Sequence, residues 1–221
     1  MAQFPSTQWS LIRQSGGTPS TRHQAFGELA TAYRDAILAF FRARLDASSA
    51  QDATQSFLAQ SYEHAWWSRA DAEAGSFRGF LLLLLRRHLD HLRARSDGGT
   101  EFDDAELADP APAADQHFDA RFALALTARA VDVLRADYRK RDRGELFEQL
   151  LATLGSPPEH GELQRIAGSL GIRANTLTVE LARLRKRLRE QVRAELKQLC
   201  ADQATLDFEW TILQQVLGGF D

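Results

Sequence analysis

The stretch from Gly161 to Arg193 constrains the fold most, because its residues predict two helices joined by a tight turn. Gly171 lies where such a turn needs a positive φ, which glycine adopts at low cost. Ala167 lies four residues earlier, where the first helix must let the second approach closely. Apolar residues at helical spacing would pack between the two helices: Ile166, Leu170, Ile172, Leu177 and Leu181. The stretch therefore predicts a helix-turn-helix.

The remaining faces of the second helix are strongly basic. Arginines and a lysine follow one another from Arg183 to Arg193. A basic helix behind a tight turn fits the major groove of DNA, where phosphates flank the bases on either side. An ordinary helical hairpin with a solvated basic face has the same pattern, so DNA binding is one of two interpretations at this point.

Composition limits the other possibilities. The net charge is −3, so a role with nucleic acid must depend on local patches of charge rather than on the whole chain. A single cysteine, Cys200, excludes an internal disulfide and a zinc site made of cysteines. The start of the chain lacks the pattern of a secretion signal, and the apolar run Phe80–His88 is too short to span a bilayer. We expect a cytoplasmic protein without a membrane partner.

Helical periodicity recurs throughout, and no stretch alternates apolar and polar residues as a strand would. We therefore predict an all-α fold. Residues 96–118 carry Gly and Pro breakers and many acids, which indicates a flexible acidic linker. The expected layout is two helical domains, at 1–95 and 119–200, followed by a helical extension at 201–221.

Two stretches of the first domain stand out. Asp46 or Ser48 can cap a helix whose outer side, which includes Gln51, Asp52, Gln55 and Ser56, is polar but almost uncharged. Such a side is either a solvated surface or a contact face for another protein. The helix that follows Phe77 has a leucine-rich core side and an outer side with arginines near aromatic residues. It either binds and opens DNA, with rings stacking on bases, or is an amphipathic helix with no ligand.

Taken in order, these segments resemble a bacterial RNA polymerase sigma factor of the extracytoplasmic-function group. Asp52–Phe57, DATQSF, resembles the signature D-L-T-Q-E-F of the first sigma domain. Trp67–Asp71, Phe77–Leu81 and Asp90–Arg93 resemble the promoter-opening segment. Glu145–Phe147 and the helix-turn-helix resemble the second sigma domain. The likeness covers about Phe4 to Arg193.

The resemblance implies a role for each segment. The first-domain helix would dock on the β′ clamp helices of core RNA polymerase, and the second domain would contact the β flap and promoter DNA. The implied polymerase-binding residues are Gln51, Asp52, Gln55 and Ser56. The implied −10 DNA contacts are Trp67, Arg78, Phe80, Arg86, Arg87 and Arg93. The implied −35 DNA contacts are Arg173, Asn175, Thr176, Thr178, Arg183, Arg185 and Lys186.

One departure from the family pattern suggests regulation. The family usually has the acidic run D-A-E-D where this chain has Ser49-Ala50-Gln51-Asp52, so two of the acids are missing. A sub-group with this depletion is linked to Ser/Thr protein kinases, and a phosphate adds about −1.5 to −2 charge at neutral pH. Thr54 is the first phosphorylation candidate, followed by Ser49 and Ser56.

Other classes of function stay open. The chain could be a stand-alone helix-turn-helix regulator with a ligand-sensing first domain, or an adaptor that only contacts proteins. We expect no catalysis, no cofactor and no metal, because the sequence has no phosphate-binding glycine loop, no nucleophile constellation and only scattered histidines.

Overall fold

A computed structural model describes residues 8–71, 75–96, 112–154 and 161–218. The structure within these ranges is helical apart from turns and one isolated bridge, between Ser76 and Cys200, which confirms the all-α class. The α-helices are α1 Gln8–Gln14, α2 Pro19–Arg42, α3 Ala47–Glu63, α4 Phe77–Ser96, α5 Pro112–Lys140, α6 Gly144–Ala152, α7 Glu162–Ser169, α8 Ala174–Lys197 and α9 Gln203–Val216. A short 3-10 helix, Trp66–Arg69, lies between α3 and α4. None of the described helices combines the length and apolar character that crossing a bilayer requires.

The residue contacts divide the chain into two compact units. Unit 1 contains the described residues up to Ala125 together with those after Glu195, and unit 2 contains those from Leu126 to Glu195. Both boundaries fall inside a helix, the first in α5 and the second in α8. Each unit has its own buried core.

Aromatic side chains dominate the core of unit 1. Tyr33 of α2 stacks on Phe122 of α5, with ring centroids 5.1 Å apart, and also contacts Phe77 of α4 at 5.5 Å. Trp67 packs against Phe26 and is fully buried. Aromatic pairs in such arrangements add roughly 0.5–1.5 kcal/mol each beyond the area they bury.

The core of unit 2 comes from the apolar stripe of α8 and from α6. Leu177, Leu181 and Leu184 are buried along α8, as their spacing predicts, and Phe147 of α6 is fully buried beside Tyr138. The three leucines recur every three or four positions, so they share one side of α8 and leave its basic side exposed.

The predicted linker and domain limits differ from the structure. Helix α5 begins at Pro112, inside the predicted linker 96–118, and residues 97–111 lie outside the described residues. Phe118 and Phe122 are fully buried in unit 1, so the first part of α5 belongs to that unit rather than to a second domain starting at residue 119. The described residues after Glu195 also belong to unit 1, whereas the sequence predicts residues 196–200 in the second domain and 201–221 in a helical extension.

Candidate nucleic-acid and protein interfaces

The outer side of α3 is an exposed polar face, built by the residues beneath it. Asp46 caps the helix, as predicted, by accepting hydrogen bonds from the backbone N–H groups of Ser48 at 3.0 Å and Ser49 at 3.1 Å. The opposite side is anchored by Ala50, Ala53 and Phe57, all buried. Three of the four predicted polymerase-binding residues are consequently exposed, namely Gln51, Asp52 and Gln55, whereas Ser56 is half-buried.

A groove runs beside this face, between α3 and α4. Its volume is about 440 Å³, and Ser49, Asp52 and Ser56 contribute to its α3 wall. Leu89, Leu92 and Arg93 form its α4 wall. The groove joins residues predicted for polymerase binding to one predicted for DNA binding, Arg93.

A buried histidine, His88, contacts a side chain of the groove wall. The Nε2 atom of His88 lies 2.9 Å from the Ser56 hydroxyl, and its ring lies edge-on to Phe41 and Phe57. Burial lowers the pKa of His88 to about 4, and the nearby His91 adds to the effect. His88 is therefore neutral at pH 7 and belongs to the packing of α4 on α3. The sequence analysis treats His88 only as one of the scattered histidines, although its position inside a leucine-rich run indicates that it is buried.

Thr54, the first phosphorylation candidate, is not accessible. Its side chain is 1% exposed, and its hydroxyl donates a 2.8 Å hydrogen bond to the Ala50 carbonyl one turn back. A kinase could reach it only after α3 moved away from the core. Ser49, the next candidate, is exposed in the first turn of α3.

The predicted −10 contacts do not form one exposed surface. Trp67 is fully buried and Arg78 is 7% exposed, so the structure does not present these two predicted −10 contacts to solvent. Phe80 and Arg86 are half-buried, and only Arg87 and Arg93 are exposed. The helical period placed the leucines correctly, but it could not show that carboxylates from distant segments would cover Arg78.

Arg78 lies at the centre of a buried ionic cluster. Its guanidinium donates through Nε and Nη2 to Glu209 of α9, the latter at 3.3 Å, and through Nη1 to Asp119 of α5 at 2.6 Å. The Ser76 hydroxyl donates to the same Glu209 carboxylate. Burial alone would lower the pKa of Arg78, but the two carboxylates outweigh it and raise the pKa, so the arginine is charged.

Backbone contacts fix the C-terminal segment to the same place. The Phe77 N–H donates to the Leu199 carbonyl at 3.0 Å, and the Ala201 N–H donates to the Gly75 carbonyl at 2.8 Å. Asp202 then caps α9 by accepting from the Thr205 N–H at 2.7 Å. Cys200 is buried here, and burial together with the charge of Glu209 raises the pKa of its thiol to about 12. The extension is thus part of unit 1.

The turn between α7 and α8 has the predicted local geometry. Gly171 has a φ of +65°, and the Ile172 N–H donates to the Ala167 carbonyl at 3.0 Å. Ala167 is buried, as close packing requires. Helix α8 begins at Ala174, so Arg173 immediately precedes it and Asn175 is its second residue.

All the predicted −35 contacts, in α8 as far as Lys186 and at Arg173 just before the helix, are presented to solvent. The exposed residues are Arg173, Asn175, Thr176, Thr178, Arg183, Arg185 and Lys186. Between them Glu180 is 7% exposed and holds Arg183 at 3.1 Å and Arg143 at 3.2 Å. Further along, Arg187 pairs with Asp137 at 2.5 Å and lies over the Tyr138 ring, so that arginine has a structural partner.

The described part of the chain contains no group of three or more His, Cys, Asp or Glu residues that could hold a metal ion. Comparisons of the chain with protein-family models, with curated proteins and with solved structures found no match.

Proposed function

We propose that this chain is an alternative sigma factor, which binds core RNA polymerase and directs it to specific promoters. In this proposal unit 1 contacts the polymerase clamp through the α3 face and the −10 region through α4. Unit 2 contacts the −35 region through the start of α8.

The observation that best supports the proposal is the exposure of both candidate contact faces. The polar face of α3 carries Gln51, Asp52 and Gln55, and all seven candidate residues at the start of α8 are exposed directly after a glycine turn. Polar side chains with no core role are free to serve recognition, and a basic helix after a turn suits the major groove.

The proposed −10 surface is smaller than the resemblance implies. It consists of the exposed Arg87 and Arg93, with the half-buried Phe80 and Arg86 at its edge. Trp67 and Arg78 are buried in the core of unit 1. Control by a kinase would act through Ser49 rather than Thr54, because Ser49 is exposed and Thr54 is buried.

Co-purification with bacterial core RNA polymerase tests the proposal. The wild-type chain is expected to bind the polymerase, and Asp52→Arg on the exposed α3 face is expected to weaken binding at least tenfold. Glu28→Arg makes the same charge change on an exposed position of α2 and is the matched control, with no expected loss. Binding of operator DNA by the chain alone, with no affinity for polymerase, would favour the stand-alone regulator instead.

A further inference from the structure

Two arginines of unit 1 share a single carboxylate. Arg44 follows the end of α2, and its Nη2 lies 2.9 Å from one oxygen of Asp115 in the first turn of α5. Arg86 of α4 lies 2.5 Å from the other oxygen of the same carboxylate. The side chains of Arg44, Arg86 and Asp115 are 10%, 31% and 15% exposed, so the cluster lies at the edge of the core rather than in open solvent.

The cluster has more positive than negative charge. Two guanidinium groups face one carboxylate, and Arg93 lies close enough to act on Arg44 through its charge. Burial lowers the pKa of Arg44, and the neighbouring Arg86 and Arg93 add to that effect while Asp115 opposes it. Like charges in this setting repel each other, so an additional or stronger anion at the same place would be stabilising.

The contacts that Asp115 makes are of a kind that a phosphate group can also make. One anionic group with two oxygens accepts from two separate guanidinium groups, which is how arginines hold phosphates. Arg44 is pre-positioned for this role, because its Nη1 donates to the Phe40 carbonyl at 3.0 Å and its guanidinium lies 3.8 Å from the Phe40 ring centroid. The Nε of Arg86 is buried and has no hydrogen-bond partner among the residues that the structure describes, so this guanidinium has a donor that the described contacts leave unused.

We infer that Arg44 and Arg86 form a binding site for a backbone phosphate of DNA, which Asp115 occupies when no DNA is bound. A phosphodiester would displace the Asp115 side chain and take its place between the two guanidinium groups. The inference rests on the proposed function only in that Arg86 is already a candidate DNA contact. Arg44 is a new one, and Asp115 becomes an internal competitor that weakens DNA binding.

Replacing Asp115 by Asn tests this inference on the full chain without polymerase. The ligands are two 20-nucleotide probes, one single-stranded and one double-stranded, titrated by fluorescence anisotropy at several salt concentrations. Asp115→Asn is expected to bind at least one probe about three to ten times more tightly. Because the same phosphate contact forms once Asp115 is displaced, the slope of log affinity against log salt is expected to stay close to that of wild type, and to become shallower by about 0.7 to 0.9 when the contact is lost. The two probes show which form of DNA supplies the phosphate.

Glu28→Gln is the matched control. Glu28 is exposed on α2, accepts a hydrogen bond from Gln24 and is not a predicted DNA contact, and its replacement changes the net charge by the same amount. Its affinity is expected to stay within twofold of wild type. In the double variants Asp115→Asn with Arg44→Gln, and Asp115→Asn with Arg86→Gln, the gain is expected to disappear.

Three results would overturn the inference: no gain in Asp115→Asn, an equal gain in Glu28→Gln, or a gain that survives Arg44→Gln. Asp115→Ala replaces Asp115→Asn if the latter melts early, since alanine has the highest helix propensity. Failure of the chain to bind polymerase would reject the proposed function but leave these DNA titrations unaffected, so the two ideas fail separately.

Discussion

Removing Glu209 is expected to destabilise unit 1 strongly. Its carboxylate is 2% exposed and accepts from Arg78 and from Ser76. Replacement by Ala leaves the buried Arg78 guanidinium with Asp119 as its remaining carboxylate partner. Breaking a buried ion pair typically costs about 3–5 kcal/mol, and because Asp119 still neutralises part of the charge, we expect about 3 kcal/mol here.

Tryptophan fluorescence measures this loss in unit 1 alone. The four tryptophans are Trp9, Trp66, Trp67 and Trp210, and all of them lie in unit 1. Urea titrations would compare the free energy of unfolding of wild type and Glu209→Ala. Asp207→Ala removes an exposed carboxylate from the same helix and should change stability by less than about 0.5 kcal/mol. The reasoning is refuted if Glu209→Ala unfolds within 0.5 kcal/mol of wild type, or no earlier than Asp207→Ala.

Two further predictions concern single residues. Folding lowers the pKa of His88 from 6.5 to about 4, so the unfolded chain binds the proton first as the pH falls. Between pH 7.5 and 5, wild type should therefore lose about 2 kcal/mol of its free energy of unfolding through this group. Urea titrations at both pH values check this, and His88→Gln should lose about 2 kcal/mol less over the same interval; equal losses would contradict it. Gly171→Ala should destabilise unit 2 by roughly 1–2 kcal/mol, since its φ is positive although no atom lies near the added Cβ. Gly168→Ala, in equally open space within α7, should instead stabilise unit 2 by about 0.5–1 kcal/mol. Thermal unfolding followed by circular dichroism compares the two variants. Melting temperatures that shift in the same direction for both would contradict the role of φ at Gly171.

Local features of the chain were predictable because short-range chemistry determines them. The Asp46 cap, the positive φ at Gly171 and the buried Leu177 and Leu181 follow from side chains within a few positions of each other. The all-α class follows from the same helical spacing repeated along the chain. For these features the sequence and the structure agree.

Features that join distant parts of the chain were not predictable in the same way. Arg78 and Glu209 are 131 positions apart, and a helical period cannot show that one buries the other. Phe122 has the spacing of a core residue, but spacing alone does not show whether it packs in the core of unit 1 or of unit 2. Both cases led to the same error, namely an underestimate of how much of α5 and of the C-terminal segment belongs to unit 1.

Run-off transcription with purified core RNA polymerase tests the central claim most directly. Genomic fragments from the source organism would serve as templates, with and without this chain, and the start sites would be mapped. The account predicts transcripts that need the chain and that start downstream of a shared pair of elements, with Asn175→Ala changing the preferred upstream element and Arg183→Ala weakening all promoters alike. Transcripts that are the same with and without the chain would contradict it.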